Sequence, residues 1–309
     1  RVAHISEAGF INIETGAPFT VDSPVRIASM SKPVTAVATM MLVEDGLVGL
    51  DDPVSDYIPA FANVRVATSL QRDENYEIPT VPAARAMTVE DLLTHTSGLG
   101  YVFDYESNLG ALYIGNDIYS AEGDMNSRME TLAGLPLYFQ PGSAWFYSYA
   151  SDVLGHLVTV ASGQSLEDFS QQRIFRPLGM NDTTFFLRDD QRDRLAAVYT
   201  HGEDGALTRL SDSQDTIPDS PIEAGGAGLL CVTDRRKSLS HSHCQRGDGD
   251  FFKTRKDLIL LLNKYLSKQD YRNEMAGKAI GNLITKHDLK RKVDAISKEI
   301  NNIQKNKNS

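Results

Sequence analysis

Ser29-Met30-Ser31-Lys32 sets a hydroxyl three positions ahead of an amine. On a helix that spacing puts both side chains on one face, within reach of each other. Acyl transfer needs a hydroxyl that loses its proton as it attacks. A lysine whose charge is disfavoured by burial can take that proton or hold another base ionised, and the positive end of a helix favours the negative charge that develops. The four-residue pattern is common by chance, so its context matters. It opens an apolar helix, and Lys32 is the sole lysine before Arg235, whereas the last 75 residues hold twelve. A desolvated lysine can give up its proton and an arginine cannot, which is a chemical reason to keep one lysine in an arginine-using body. Ser31 is the competing nucleophile, but it adjoins Lys32 and points elsewhere.

The element that must position this pair is a helix predicted from about Ser29 to Glu44, with Pro33 in its first turn and Gly46 just past its end. Apolar residues cover most of its circumference, which predicts a central, buried helix. Upstream, Phe10 to Thr20 reads as a strand end and turn. Downstream, Thr88 and Asp91 have capping-box spacing at the head of a short helix. Tyr101 to Met125 has no firm period and reads as an irregular, pocket-forming excursion. Helices are expected at about Ser151–Ala161 and Leu166–Phe175, short strands at Thr183–Phe185 and Ala196–Tyr199, and a glycine loop at Ala224–Gly228.

Charge divides the chain near Asp234. Residues 1–234 carry 13 Lys and Arg against 33 Asp and Glu, whereas residues 235–309 carry 18 against 8. The expectation is a body over 1–234 and a basic, Lys/Asn-rich helical segment over 235–309 of unrelated composition, joined by a fusion or frameshift. In that tail Leu289, Val293, Ile296, Ile300 and Ile303 form a two-heptad seam, read as a helix docking on the body, with weak self-association as the alternative. No nucleic-acid motif accompanies the basic face, and no apolar run reaches the eighteen residues that a spanning helix needs. Arg1 is followed by no leader-like run, so a soluble protein is expected, cytoplasmic or exported with its signal removed. Two cysteines, Cys231 and Cys244, exclude a disulfide framework. His241, His243 and Cys244 lack a fourth ligand at zinc-site spacing, so no metal is expected.

The run Arg26-Ile27-Ala28-Ser29-Met30-Ser31-Lys32-Pro33 resembles the nucleophile segment of class C β-lactamases and the related family VIII carboxylesterases. Thr88 to Leu99 resembles their second signature stretch. Pro141-Gly142 through Tyr147-Ser148-Tyr149, then Leu154-Gly155 and Ser162-Gly163, resembles the stretch carrying their catalytic tyrosine. The likeness covers about residues 9–234. It implies a β-lactamase/transpeptidase-like α/β fold, with an antiparallel sheet drawn from both chain ends and flanked by helices, plus an all-helical region from about Leu50 to Phe175. It also implies a cofactor-independent serine hydrolase in which Tyr147, beside the Lys32 ammonium, is general base toward Ser29 and later toward water. In that pattern His95 belongs to a structural turn.

Two departures shape the expected activity. The β-lactamases carry Tyr-x-Asn, whose amide reads the substrate's amide side chain; Tyr147-Ser148-Tyr149 has none, which tilts the reading toward small carboxylic esters. Tyr149, Trp145 and Tyr101 are then the expected apolar lining for the substrate. A third motif, Lys-Thr-Gly or a variant, is not legible after the glycine loop, and Lys253-Thr254-Arg255 lacks the glycine. The alternatives are therefore a β-lactamase or DD-peptidase type of hydrolase, and a non-catalytic penicillin-binding-like scaffold. An α/β-hydrolase is disfavoured, because no Gly-x-Ser-x-Gly elbow occurs.

Overall fold

A computed structural model describes residues 7–119, 123–202, 205–210 and 222–232. It opens on a hairpin, β1 (Phe10–Asn12) with β2 (Ala17–Pro18), turned through Gly16 as the sequence implies. The strand that matters to the site is β3 (Pro24–Arg26). It leads into a single 3-10 turn at Ala28–Met30 and then into helix α1 (Ser31–Glu44), capped by Gly46 in the left-handed conformation. The pair β4 (Arg65–Ala67) and β5 (Thr80–Pro82) follows, then α2 (Val89–Leu93), α3 (Asn108–Gly115), α4 (Met125–Gly134) and α5 (Ala150–Ser162). The β4–β5 ladder corrects the expectation of a purely helical region from Leu50 to Phe175: Arg65–Ala67 and Thr80–Pro82 bond each other in antiparallel register. Likewise Tyr101–Met125 is not wholly irregular. Ser107 accepts the Gly110 N–H and so caps α3, a signal hidden by the surrounding Gly, Asn and Tyr.

Helix α6 (Leu166–Ser170) continues through a π turn at Gln171–Phe175 into the short α7 (Arg176–Leu178). The chain goes on through α8 (Asp189–Arg192), the pair β6 (Tyr199–His201) and β7 (Leu207–Arg209), and ends its described part in β8 (Leu230–Val232). β8 returns to pair antiparallel with β3, Pro24 opposite Val232 and Arg26 opposite Leu230, so the sheet does join the two ends of the body. Thr184 bridges Leu230 on the far side, and Ala196 and Ala197 bond Pro24 and Ile11. The sequence puts the later strand at 196–199; the ladder runs instead from Tyr199, and 196–197 serve as single links.

The enclosed helix is α5, not α1. Every residue from Ala150 to Val158 is buried, whereas α1 keeps a stripe at Pro33, Val37 and Met40 open. Those positions lie four and three apart, on the side of α1 turned from α5. Apolar composition all round a helix thus overstated its burial. The core around α5 includes Leu42, Met87, Leu92, Leu154 and Phe175, each side chain worth about 1.5–3 kcal/mol when taken from water. The tail seam, the His241–Cys244 cluster and the compositional break after residue 234 lie outside the described residues. Among the described residues no helix is long and apolar enough to cross a membrane.

Candidate active site

The β3–β8 ladder fixes the start of α1, because the Ile27 N–H bonds the Leu229 carbonyl at 3.0 Å. Ala28 then takes φ of +43°, a left-handed conformation that a non-glycine residue adopts only when its surroundings impose it. The turn lifts Ser29 to the surface while Lys32, one turn on, stays 9% exposed. Lys32 Nζ lies 3.4 Å from Ser29 Oγ and donates to the Gly226 carbonyl at 2.8 Å. Ser31 does point elsewhere: its buried hydroxyl accepts the Leu229 N–H at 3.0 Å.

Tyr147 reaches the same hydroxyl from the other side, its phenol donating to Ser29 Oγ at 2.6 Å. The stretch after α2 holds it there. Phe146 N–H bonds the His95 carbonyl at 3.0 Å and Tyr149 N–H bonds the Gly100 carbonyl at 3.1 Å, so the phenol is suspended between two backbone anchors. Gly98, at φ of +84°, lets the two segments touch; a side chain there would overlap the Phe139 carbonyl. His95, itself at φ of +56°, stacks on the Tyr147 ring at 5.3 Å and faces Ser148 Oγ through Nδ1 at 3.3 Å. Burial, and secondly the Lys32 charge, push its imidazole down to about 4, so it stays neutral near pH 7. The Lys32 ammonium sits 4.5 Å from the Tyr147 ring centroid and 5.5 Å from that of Tyr101.

Behind the lysine is a carboxylate. Asp152, in the first turn of α5 and fully buried, accepts the Gly226 N–H at 2.9 Å and the Tyr119 hydroxyl at 3.1 Å to each oxygen. Burial raises it to about 6 against the opposing pull of the Gly226 N–H, the Lys32 charge and Tyr119. The glycine loop is pressed between helices. Thr35 donates to the Gly225 carbonyl at 2.7 Å, and a Cβ on Gly225 would lie 2.5 Å from the Ser151 carbonyl.

Of the residues expected from sequence, Ser29, Lys32 and Tyr147 converge on one oxygen. Tyr101 lies beside them, nearly buried, its ring edge-on to Tyr147 at 5.5 Å. Trp145 is half-buried and meets His95 at 6.2 Å. Tyr149 corrects an expectation. It is fully buried and its hydroxyl donates to Asp117 at 2.6 Å, so it backs Tyr101 and does not face the opening. A Tyr at the start of a helix two positions after the outward Tyr147 is carried to the inner side. Sequence reading missed Asp152 and Gly226. The available signal for Asp152 was a lone acid among apolar positions of α5, with a glycine run elsewhere for its backbone partner.

Comparison with known proteins agrees with this architecture. The family model described as Beta-lactamase matches residues 1–282, on both sides of the 9–234 stretch where motifs are legible. Esterase EstB of Burkholderia gladioli is 36% identical over 247 residues, 73% of this chain and 58% of that protein. Lovastatin esterase of Penicillium rubens is 36% identical over 194 residues, 62% of this chain and 47% of its own. The solved structure of unliganded simvastatin synthase from Aspergillus terreus superposes with TM-score 0.63 at 29% identity, covering 77% of this chain and 58% of that one. The fold is β-lactamase/transpeptidase-like. The chain spans about half the length of the curated relatives it matches.

Proposed function

This chain belongs to the Beta-lactamase family, and on that premise we propose that it is a serine carboxylesterase that cleaves small carboxylic esters through an acyl-enzyme on Ser29. The observation that carries the reading is the meeting of two groups on one oxygen: the Tyr147 phenol at 2.6 Å and the Lys32 amine at 3.4 Å from Ser29 Oγ. Ser29 Oγ attacks the ester carbonyl carbon as its proton passes to the oxygen of Tyr147 acting as a phenolate, with the Lys32 amine 4.5 Å from the centroid of that ring. The tetrahedral intermediate collapses, the carbon–oxygen bond to the alcohol breaks, and Tyr147 returns the proton to the departing alkoxide. Water then gives a proton to Tyr147 as it attacks the acyl carbon, and Ser29 leaves with that proton restored. Positive potential at the start of α1 favours the oxyanion in both steps.

Ester preference over β-lactams rests on Tyr149. At the place where the class C pattern has an amide, this chain has a phenol turned onto Asp117, so nothing there reads an amide side chain. Substrate contact falls to half-buried Trp145, with the nearly buried Tyr101 as apolar backing behind Tyr147. The esterases among its relatives support this choice. The test is hydrolysis of p-nitrophenyl butyrate against nitrocefin, with intact-mass analysis after a fluorophosphonate. The expected result is one adduct mapping to Ser29, absent in Ser29→Ala, and butyrate turnover at least ~10²-fold above nitrocefin. A wild-type chain left unmodified would favour the inert-scaffold reading; faster nitrocefin turnover would favour the β-lactamase.

A further inference from the structure

We propose that Asp152 is a positioning residue for this site, a buried counter-charge that holds the Lys32 ammonium against Ser29 and Tyr147 through the backbone of Gly226. The proposal rests on the esterase reading, in that Lys32 is the group being placed. Gly226 is used from both sides: its N–H donates to Asp152 Oδ1 at 2.9 Å and its carbonyl accepts from Lys32 Nζ at 2.8 Å. The approach is so close that a Cβ on Gly226 would overlap the Asp152 carboxylate, so a glycine is needed at the joint. A charge buried in the first turn of an enclosed helix is costly unless it is compensated. A merely structural role would be served equally well by an asparagine. What the carboxylate adds is a negative field on Lys32, with the polarised glycine backbone between them.

The groups that face Asp152 come from several elements: Lys32 from α1, Tyr119 from the segment between α3 and α4, Tyr101 from the stretch after α2, and Gly226 from the loop before β8. Asp117 is linked to this set through Tyr149. Burial holds Tyr101, Tyr119 and Tyr149 well above the ordinary phenol value, so Lys32 is the charged partner in the working range. With Asp152 ionised, the Gly226 backbone is held and Lys32 is aimed at Ser29. Protonating Asp152 removes that counter-charge, which places the acid limb of the reaction at Ser29 near pH 6.

The experiment is the rate at which a fluorophosphonate phosphonylates Ser29, with loss of fluoride, against pH, read by intact mass, for wild type, Asp152→Asn and Tyr119→Phe. Asp152→Asn is expected to react about tenfold more slowly and to lose the acid limb, since an asparagine has no proton to gain there. Tyr119→Phe keeps the charge but removes a hydrogen bond that favours it, so its acid limb moves to higher pH. An acid limb unmoved in Asp152→Asn would overturn the proposal. If that variant does not fold, a Tyr119→Phe profile superposing on wild type does the same. Melting temperature against pH gives a readout free of catalysis: Lys32→Met should move the Asp152 inflection to higher pH, and an unmoved inflection also overturns the proposal. A wild type that shows this coupling in melting yet is never modified at Ser29 would sink the esterase reading alone.

Discussion

Two buried aspartates, sixty-one positions apart, sit in opposite electrostatic situations. Asp91 caps α2 and is fully answered. Arg85 grips it with two hydrogen bonds at 2.6 and 2.8 Å, the Thr88 N–H donates at 2.9 Å, and Thr96 adds a hydroxyl at 3.2 Å. Burial pushes its carboxyl up, but Arg85 and Thr88 outweigh that and hold it below the ordinary value. Asp152 is at least as buried, has no guanidinium, and meets its cation only across Gly226; burial wins, and it rises to about 6. A glycine closes each site: a side chain on Gly142 would overlap Arg85, the partner of Asp91, and one on Gly226 would overlap Asp152 itself. The same ingredients therefore build a clamp in one place and a poised pair in the other. Where the counter-ion is bidentate and direct, the carboxylate is clamped; where it is held one residue away, beside the proposed nucleophile, the carboxylate keeps a field to exert on Lys32.

The sharpest way to break the comparison is to remove each cation's role in turn. Lys32→Ala is expected to lower kcat/KM for p-nitrophenyl butyrate by ~10³-fold, whereas Arg85→Ala should leave kcat per folded molecule within about twofold. Equal losses would erase the distinction. The glycines come next. Gly226→Ala should cost about 1–3 kcal/mol in urea unfolding and also slow acylation, because the joint between Asp152 and Lys32 is forced open. Gly142→Ala, at φ of +81°, should cost a similar amount of stability without touching the acylation rate. Asp91→Asn is a smaller effect, about 1–2 kcal/mol in the same unfolding measurement, since Arg85 is 44% exposed and water screens the pair.

The smallest effect is the most diagnostic, and it lies in pH dependence. Asp152 binds its proton more tightly folded than unfolded, so its contribution to stability is fully present below about 3.8 and is lost as pH rises through about 6. Asp91 is shifted the other way, so its contribution is present above about 3.8 and is lost as pH falls through its lower folded value. Calorimetric melting of Asp152→Asn minus wild type should therefore climb between pH 4 and 6. The same difference for Asp91→Asn should stay flat over that window and change only at lower pH.

Much of this was readable in advance where the physics is local. The Thr88–Asp91 capping box was legible from two residues three apart and is present with both hydrogen bonds. The helix at α5 and its stop at Gly163 followed from apolar spacing and a terminal glycine. The expectation failed where neighbours along the chain do not decide. α1 and α5 are both apolar, and only the packing chose which is enclosed. Tyr147 and Tyr149 share a motif, yet one faces Ser29 and the other Asp117.

By itself, the sequence determined that the Ser29 hydroxyl and the Lys32 amine lie close together, because a separation of three across consecutive helical turns puts two side chains on one side. It could not determine what surrounds that amine. Tyr147 meets Ser29 across 118 positions and Gly226 meets Lys32 across 194. Contacts at such separations depend on the whole intervening path, on the β3–β8 ladder, and on how closely a glycine loop can be pressed between two helices. Tertiary structure alone put a buried carboxylate behind the lysine, where its burial in a low-dielectric core makes its charge count.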